Sequence, residues 1–131
     1  MKILFSIVFL SLFTLVDVSD EIISALKYGK HQEIYKYFDD KVIIKILEKE
    51  DLLSKEQCSA NLSVFFEKNP IKSFSLVQNT QLSSTAQFIY GIIDTGNNKY
   101  KISILIKKDH IVPAPSRLFR ISPLFLFPVN N

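Results

Sequence analysis

Apolar positions along this chain recur at two different periods, and the longer period marks one central helix. Apolar side chains spaced i, i+4, i+7 and i+8 form one helical face, and they are Cys58, Leu62, Phe65 and Phe66. Ser54 followed three residues later by Gln57 predicts a capping box at the start of this helix. Asn69 and Pro70 predict its end. The rest of the chain is expected to pack around this helix.

Two short helices and a strand are predicted before the central helix. The first helix is predicted to be capped by Asp20 or Ser19 and to end at Gly29, and the second is predicted at Lys30–Phe38. Lys41–Leu47 is rich in β-branched residues and alternates, which is typical of a strand. The charged segment Glu48–Leu53 connects this strand to the central helix and has room for a short return strand.

Alternation with a period of two after Pro70 predicts a run of antiparallel strands. The candidates are Ser73–Asn79, Ala86–Ile93 and Lys99–Lys107, with a hairpin turn between the last two. Because prolines precede it, a last strand at Arg117–Ile121 is predicted to be an edge strand or to start late. The side chains predicted to face inward from all of these strands are Val42, Ile44, Ile46, Phe74, Leu76, Phe88, Tyr90, Ile92, Tyr100, Ile102, Ile104 and Ile106.

Helices separated in sequence from antiparallel strands predict an α+β fold. It would contain two short N-terminal helices, a strand, and a long helix packed on a curved antiparallel sheet. Burying Leu62, Phe65 and Phe66 would contribute on the order of 5–9 kcal/mol, which is comparable to the net stability of a typical domain. The long helix therefore needs a wide apolar surface to receive it.

The first residues predict export. Lys2 followed by the apolar run Ile3–Val16 is typical of a signal peptide, and the run is shorter than the roughly 20 residues that a membrane span needs. Cleavage is expected near Ser19–Asp20, and the alternatives are an uncleaved anchor or a buried core helix. The chain then divides into a signal peptide at 1–19, a domain at 20–122 and an apolar tail at 123–131, and it is expected in the periplasm or cell envelope.

Charge and reactive side chains exclude several classes of function. The formal net charge is only +3 and the lysines are interspersed with acids, which argues against a nucleic-acid partner. Cys58 is the only cysteine, and its place on the apolar helix face predicts core packing. His31 and His110 stand alone, without the spacing of metal ligands. We therefore expect no metal and no cofactor.

Four segments carry a resemblance to a known family: DEIISALKYGKHQEIYKYF, LLSKEQ, VFFEKNPIKSFSLV and YGIIDTGNNKYKISILIKK. They resemble a small exported bacterial family labelled domain of unknown function 4783. The order of elements resembles the cone-shaped, cystatin-like fold of nuclear transport factor 2 and the ketosteroid isomerases. The resemblance extends from Asp20 to Lys108. It implies a pocket between the sheet and the long helix, and no assigned activity. The chain departs from the family near its end, where Pro113 and Pro115 interrupt it.

Six side chains are predicted to line the pocket that this resemblance implies: Tyr35, Phe66, Phe88, Tyr90, Tyr100 and Ile102. The isomerase relatives place a carboxylate or a histidine in such a pocket as a general base. No acid or histidine occupies an inward position here, and acids such as Asp39 and Asp94 fall in turns. We therefore do not expect catalysis.

The sequence favours an exported, non-catalytic binding or interaction module. Its apolar pocket or sheet face would take a lipid-like ligand or a protein partner, and fold relatives often form homodimers through the sheet face. The alternative is a small isomerase- or dehydratase-like enzyme that uses Tyr90 with a turn carboxylate, Asp39 or Asp94. A third hypothesis is a structural envelope component whose apolar tail docks on a neighbour.

Overall fold

Three helices and six strands form within residues 18–108 and 119–129, the part of the chain that the computed structural model describes. In chain order they are α1 Val18–Lys27, α2 Gln32–Tyr35, β1 Lys41–Ile46, β2 Lys49–Ser54, α3 Lys55–Lys68, β3 Ser73–Ser83, β4 Ala86–Asp94, β5 Lys99–Lys108 and β6 Phe119–Pro128. The predicted α+β class is confirmed. No helix in these residues is both long enough and apolar enough to cross a membrane.

Helix α3 has its predicted boundaries because side chains cap both of its ends. The Gln57 backbone N–H donates to Ser54 Oγ at 3.2 Å, and the Ser54 N–H donates to Gln57 Oε1 at 3.3 Å, which completes the capping box. At the other end, the side-chain amide of Asn69 donates to the Phe65 carbonyl at 3.0 Å. The four apolar residues predicted for its inner face are all buried.

The six strands form one curved sheet in the order β2-β1-β6-β5-β4-β3. Strand β6 pairs in parallel with β1 and antiparallel with β5, so the prediction of an edge strand is wrong, although β6 does start late, at Phe119. The domain boundary predicted at 122 falls inside β6, which runs on through Pro128. The proline at 123 fits within this internal strand because it lies at the register shift between Ile104 and Ile106, where a missing N–H is tolerated.

Strand β4 turns the opposite set of side chains inward from the set predicted. The residues predicted to face inward were Phe88, Tyr90 and Ile92. Instead, Ile89 and Ile93 are fully buried, and Ile89 pairs with the core residue Ile104 on β5. Both phases of β4 are apolar, so alternation alone does not separate them. The inward phase also contains Gly91, and the ring of Phe74 on the neighbouring strand fills the space that a side chain would take there.

The helices pack against one face of the sheet, which we call the inner face. One continuous core joins helix residues such as Leu26 and Leu62 to strand residues such as Ile102 and Leu124. The other side chains of each strand point to the opposite, outer face. Its large apolar residues, such as Phe125, do not belong to the described core. The sheet therefore has one covered face and one face that the described helices leave uncovered.

Several shorter elements also differ from their predicted extent. Helix α2 has only four residues, and turns lie on either side of it within the range predicted as helix. Strand β3 extends to Ser83 and contains two register shifts against β4. Helix α1 begins at Val18, so the predicted cut after Ser19 falls within it, and Ser19 is buried. The leader at 1–17 and the proline-containing segment 109–118 lie outside the described residues.

Candidate functional site

A cleft of about 300 Å³ opens between α3 and the β1–β2 hairpin on the inner face. Its floor and walls are apolar, and they are formed by Ile44, Ile46, Leu53, Val64 and Phe65. Val64 is 51% exposed, so part of this apolar lining is in contact with water. A volume of this size lies at the lower end of the roughly 300–1,000 Å³ found for small-molecule pockets.

The rim of the cleft is polar and carries both signs of charge. It consists of Lys49 and Asp51 from β2, with Asn61, Lys68 and Asn69 from α3. In the hairpin register, Lys49 lies beside Ile46 and Asp51 beside Ile44, so the charges flank the apolar floor. The one ion pair between described side chains joins Arg120 to Asp39, and neither residue lines the cleft. Lys49 and Lys68 therefore extend from opposite walls without a carboxylate partner among the described residues.

The structure places the six predicted pocket residues in two different environments, and none of them lines the cleft. Phe66, Tyr100 and Ile102 are buried in the core, and Tyr35 is half-buried against it. Tyr100 comes nearest to the cleft, because its ring packs edge-on against Phe65 at 5.1 Å and its hydroxyl donates to Asn69 Oδ1 at 3.5 Å.

The remaining two predicted residues, Phe88 and Tyr90, lie on the outer face. Phe88 pairs with Leu105, and Tyr90 pairs with Ser103. The core residues of β5 alternate with these two partners and include Ile104. Directly opposed residues of an antiparallel pair share a face of the sheet. The sequence prediction therefore combined residues from both sides of the sheet.

Tyr35 belongs to a small polar cluster between α2 and α3. A 2.6 Å hydrogen bond joins its hydroxyl to His31 Nδ1, and Ser63 Oγ donates to the same hydroxyl at 3.5 Å. Burial lowers the pKa of His31, an effect that the Glu67 carboxylate opposes, and burial raises the pKa of Tyr35. Both groups are therefore neutral near pH 7, and their hydrogen bonds connect α2 to α3.

The outer face carries apolar side chains on neighbouring strands, with Lys45, Ser103 and Lys101 beside them in the register, and we call the apolar set the outer patch. It spans five strands and consists of Leu52, Ile43, Phe125, Phe127, Leu105, Phe88, Tyr90 and Ile92. The rings of Phe125 and Phe127 lie 5.9 Å apart, and the Lys45 ammonium lies 5.4 Å from the centroid of the Phe127 ring. Across β5, Phe125 and Tyr90 lie on either side of Ser103. Aromatic residues thus occupy both sides of the central strand β5.

The groups named for an enzymatic alternative are not brought together. Tyr90 and Asp94 lie on the same strand four residues apart, which separates their backbones by roughly 13 Å. Asp94 accepts a hydrogen bond from the Gly96 N–H at 2.8 Å within its turn, and Asp39 pairs with Arg120 at 3.2 Å. Neither carboxylate lines the cleft. In the described ranges, no group of three or more His, Cys, Asp or Glu residues is arranged to hold a metal ion.

The sequence prediction placed Ile44 and Ile46 inward but did not identify the other side of the cleft. On α3, Asn61, Val64, Phe65 and Lys68 form a second stripe, spaced i, i+3, i+4 and i+7, beside the buried stripe. An apolar valine between Asn61 and Lys68, beside the buried Phe65, was the available signal. The β2 side of the cleft, by contrast, comes from the segment KEDLLS, whose composition does not distinguish a strand from a charged connection.

Comparisons with known proteins agree on family and fold. The sequence model of the family described as Domain of unknown function (DUF4783) matches residues 19–111. A DUF4783 family protein from Bacteroides uniformis is 23% identical, with a TM-score of 0.76 over 88% of this chain and 100% of that chain. No curated protein matches this chain at a significant level.

More distant structures share the fold alone. An NTF-2 like protein of unknown function from Burkholderia xenovorans is 8% identical, with a TM-score of 0.57 over 83% of this chain and 77% of that chain. A putative ketosteroid isomerase from Kribbella flavida is 7% identical, with a TM-score of 0.55 over 86% of this chain and 76% of that chain.

Proposed function

Because the chain belongs to the DUF4783 family, whose description assigns no activity, we propose a function from its surfaces: a non-catalytic module that binds a small apolar ligand in the cleft. The observation that carries this proposal is an apolar lining that remains in contact with water, with Val64 51% exposed at its wall. A ligand that covers this lining gains about 25 cal/mol for each Å² of apolar surface removed from water.

Decanol is a suitable neutral probe, and its binding can be measured by titration calorimetry on the full chain. Val64→Asp places a charge in the apolar wall and should weaken decanol binding at least about tenfold. Val77→Asp is the matched control, because Val77 is 59% exposed on β3 and does not line the cleft. The proposal fails if the unmodified protein does not bind decanol, or if both variants weaken binding equally.

Export is part of the same proposal. Its support is the positive start and the short apolar run Ile3–Val16 in the sequence. The mass of the protein recovered from the cell envelope should correspond to a chain that begins near Asp20. A mature chain that begins at Val18 would also support export and would keep α1 whole. A full-length chain recovered only from the cytosol would remove this part of the proposal.

The outer patch favours a second role, self-association with another copy of the chain. On the two sides of β5, Phe125 and Phe127 on β6 mirror Tyr90 and Ile92 on β4. A two-fold axis parallel to β5 and midway between two facing outer patches would place the first pair of one copy over the second pair of the other copy. This is the isologous arrangement common in homodimers, in which one surface contacts itself.

Sedimentation of the full chain at micromolar concentration tests this second role. Phe125→Ser should shift the protein from dimer to monomer. Tyr28→Ser is the control, because Tyr28 is 75% exposed on the other side of the sheet and should leave the dimer intact. A monomeric unmodified protein would contradict self-association without affecting the role of the cleft.

A further inference from the structure

The rim of the cleft adds a charge requirement to its ligand. Lys49 on β2 and Lys68 at the end of α3 extend from opposite walls, and neither has a carboxylate or a hydrogen-bond partner among the described residues. Asp51 is the one acidic side chain that lines the cleft. The rim of the cleft therefore carries two ammonium groups and one carboxylate.

We propose that the ligand is a single-chain amphiphile with one carboxylate, of the fatty-acid class. This inference rests on the proposed binding role of the cleft and adds the chemistry of the head group. The chain would lie over Ile44, Ile46 and Phe65, and the carboxylate would lie at the rim between Lys49 and Lys68.

The balance of charge at the rim favours an anionic head group. A single carboxylate offsets the excess of one ammonium group over Asp51, whereas a cationic head would face two like charges. Asn61 also lines the opening and makes no hydrogen bond with another described residue, so its amide N–H groups can donate to a carboxylate oxygen. The Asn69 side chain is more constrained, because its amide donates to the Phe65 carbonyl and its oxygen accepts from the Tyr100 hydroxyl.

The volume of the cleft limits the apolar part of the ligand. About 300 Å³ on the apolar side suits one chain of moderate length and is too small for a lipid with two long chains. The cleft is also open to solvent at the rim, which lets a charged head remain hydrated while the chain is buried. Hydrated charges near a protein surface interact modestly, so the preference for an anion is expected to be measurable but limited.

Three probes that share a ten-carbon alkyl chain and differ in head-group charge test this preference: decanoate, decanol and decyltrimethylammonium. Their affinities for the full-length protein can be measured by titration calorimetry at low salt, below the concentration at which each forms micelles. Decanoate should bind about tenfold more tightly than decanol, and its advantage should decrease as salt is added. The cationic probe should bind more weakly than decanol.

Variants at the rim test which residues hold the head group. Lys49→Gln and Lys68→Gln should each remove about threefold of decanoate affinity and leave decanol affinity unchanged. Lys27→Gln is the matched control, because Lys27 is an exposed lysine in the last turn of α1 and does not line the cleft. It should change neither affinity, which also excludes a simple effect of net charge.

The outcomes distinguish this inference from the proposed function on which it rests. Equal affinity for decanoate and decanol, or tighter binding of the cationic probe, would overturn the carboxylate assignment and leave an apolar ligand in place. Unchanged decanoate affinity in both lysine variants would also overturn it. If the unmodified protein binds none of the three probes, both the head-group assignment and the binding role of the cleft fail.

Discussion

At the scale of single residues, Gly91 and Phe74 decide how β3 and β4 pack. A Cβ added at Gly91 would overlap the Phe74 ring and would lie 2.8 Å from the Ser75 carbonyl oxygen. The glycine is therefore required by its neighbour and not by a backbone turn. The pair sets the inward phase of β4, and with it the side chains that reach the outer patch.

Gly91→Ala should destabilise the protein by about 1–3 kcal/mol, because overpacking forces the ring or the strand to move. Combining it with Phe74→Leu should cost less than the sum of the two single changes, since the smaller side chain leaves room for the methyl group. Urea unfolding of the four proteins measures this coupling. Additive effects would mean that Phe74 does not limit position 91.

Cys58 is a second residue whose behaviour follows from its surroundings. Burial raises the pKa of its thiol from the usual 9.0 to about 12, so the folded protein keeps this proton at pH values where the unfolded chain loses it. The stability contributed by the protonated thiol is complete below pH 9 and is lost as pH rises from 9 towards 12.

In the folded protein at pH 8, Cys58 should therefore react with a disulfide reagent at least about a hundredfold more slowly than in urea, because the thiolate is the reactive form. The rate of release of the coloured thiol from Ellman's reagent measures this difference. Similar rates in both states would contradict a buried, protonated thiol.

At the scale of elements, α3 depends on the two side chains of its capping box. Ser54→Ala should cost about 1 kcal/mol, because the Gln57 N–H loses its acceptor at the start of the helix. Ser54→Asp should restore most of this loss, since a carboxylate also accepts from that N–H. Thermal unfolding of the two variants measures the difference, and equal losses would mean that the cap contributes little.

The same scale shows which features of the fold could be predicted from the sequence. Helix α3 and strand β5 are encoded locally, by a capping box and by strict alternation from Tyr100 to Ile106, and both form as predicted. The phase of β4 is not local, because it depends on a ring from β3. The position of β6 depends on pairing with β1, whose residues lie far away in sequence, and a count of nearby prolines does not predict it.

The cleft was only partly predictable for a similar reason. Its general location, between the sheet and the long helix, was expected, but its lining comes from a hairpin and from the less apolar side of α3. Val64 and Lys68 are exposed residues whose neighbours across the cleft, such as Lys49, become adjacent only when the hairpin folds back. Tyr100 was predicted to face a ligand, and the structure places it behind the wall, against Phe65.

At the scale of the whole molecule, β6 joins two groups of strands. On one side lies the β1–β2 hairpin, and on the other lies the run β3–β4–β5. The inner side chains of β6, including Leu124 and Leu126, are fully buried between them. The end of the described chain is therefore the centre of the sheet.

A chain truncated after Ser122 should fail to fold cooperatively, because the loss of Leu124 and Leu126 divides the core and unpairs two neighbouring strands. A chain that ends at Val129 is the control and should unfold much as the full chain does. Circular dichroism during heating, together with the dispersion of amide signals in NMR spectra, measures the result. A truncated protein that melts cooperatively would contradict a structural role for this segment.

The central place of β6 also has a consequence for the order of events in the cell. Most domains can begin to form while their last residues are still being synthesised. Here the ribosome must add β6 before either group of strands can complete its pairing, and the residues paired between β1 and β6 lie about 80 positions apart in the sequence. Folding of the described domain is therefore expected to wait until β6 has been synthesised.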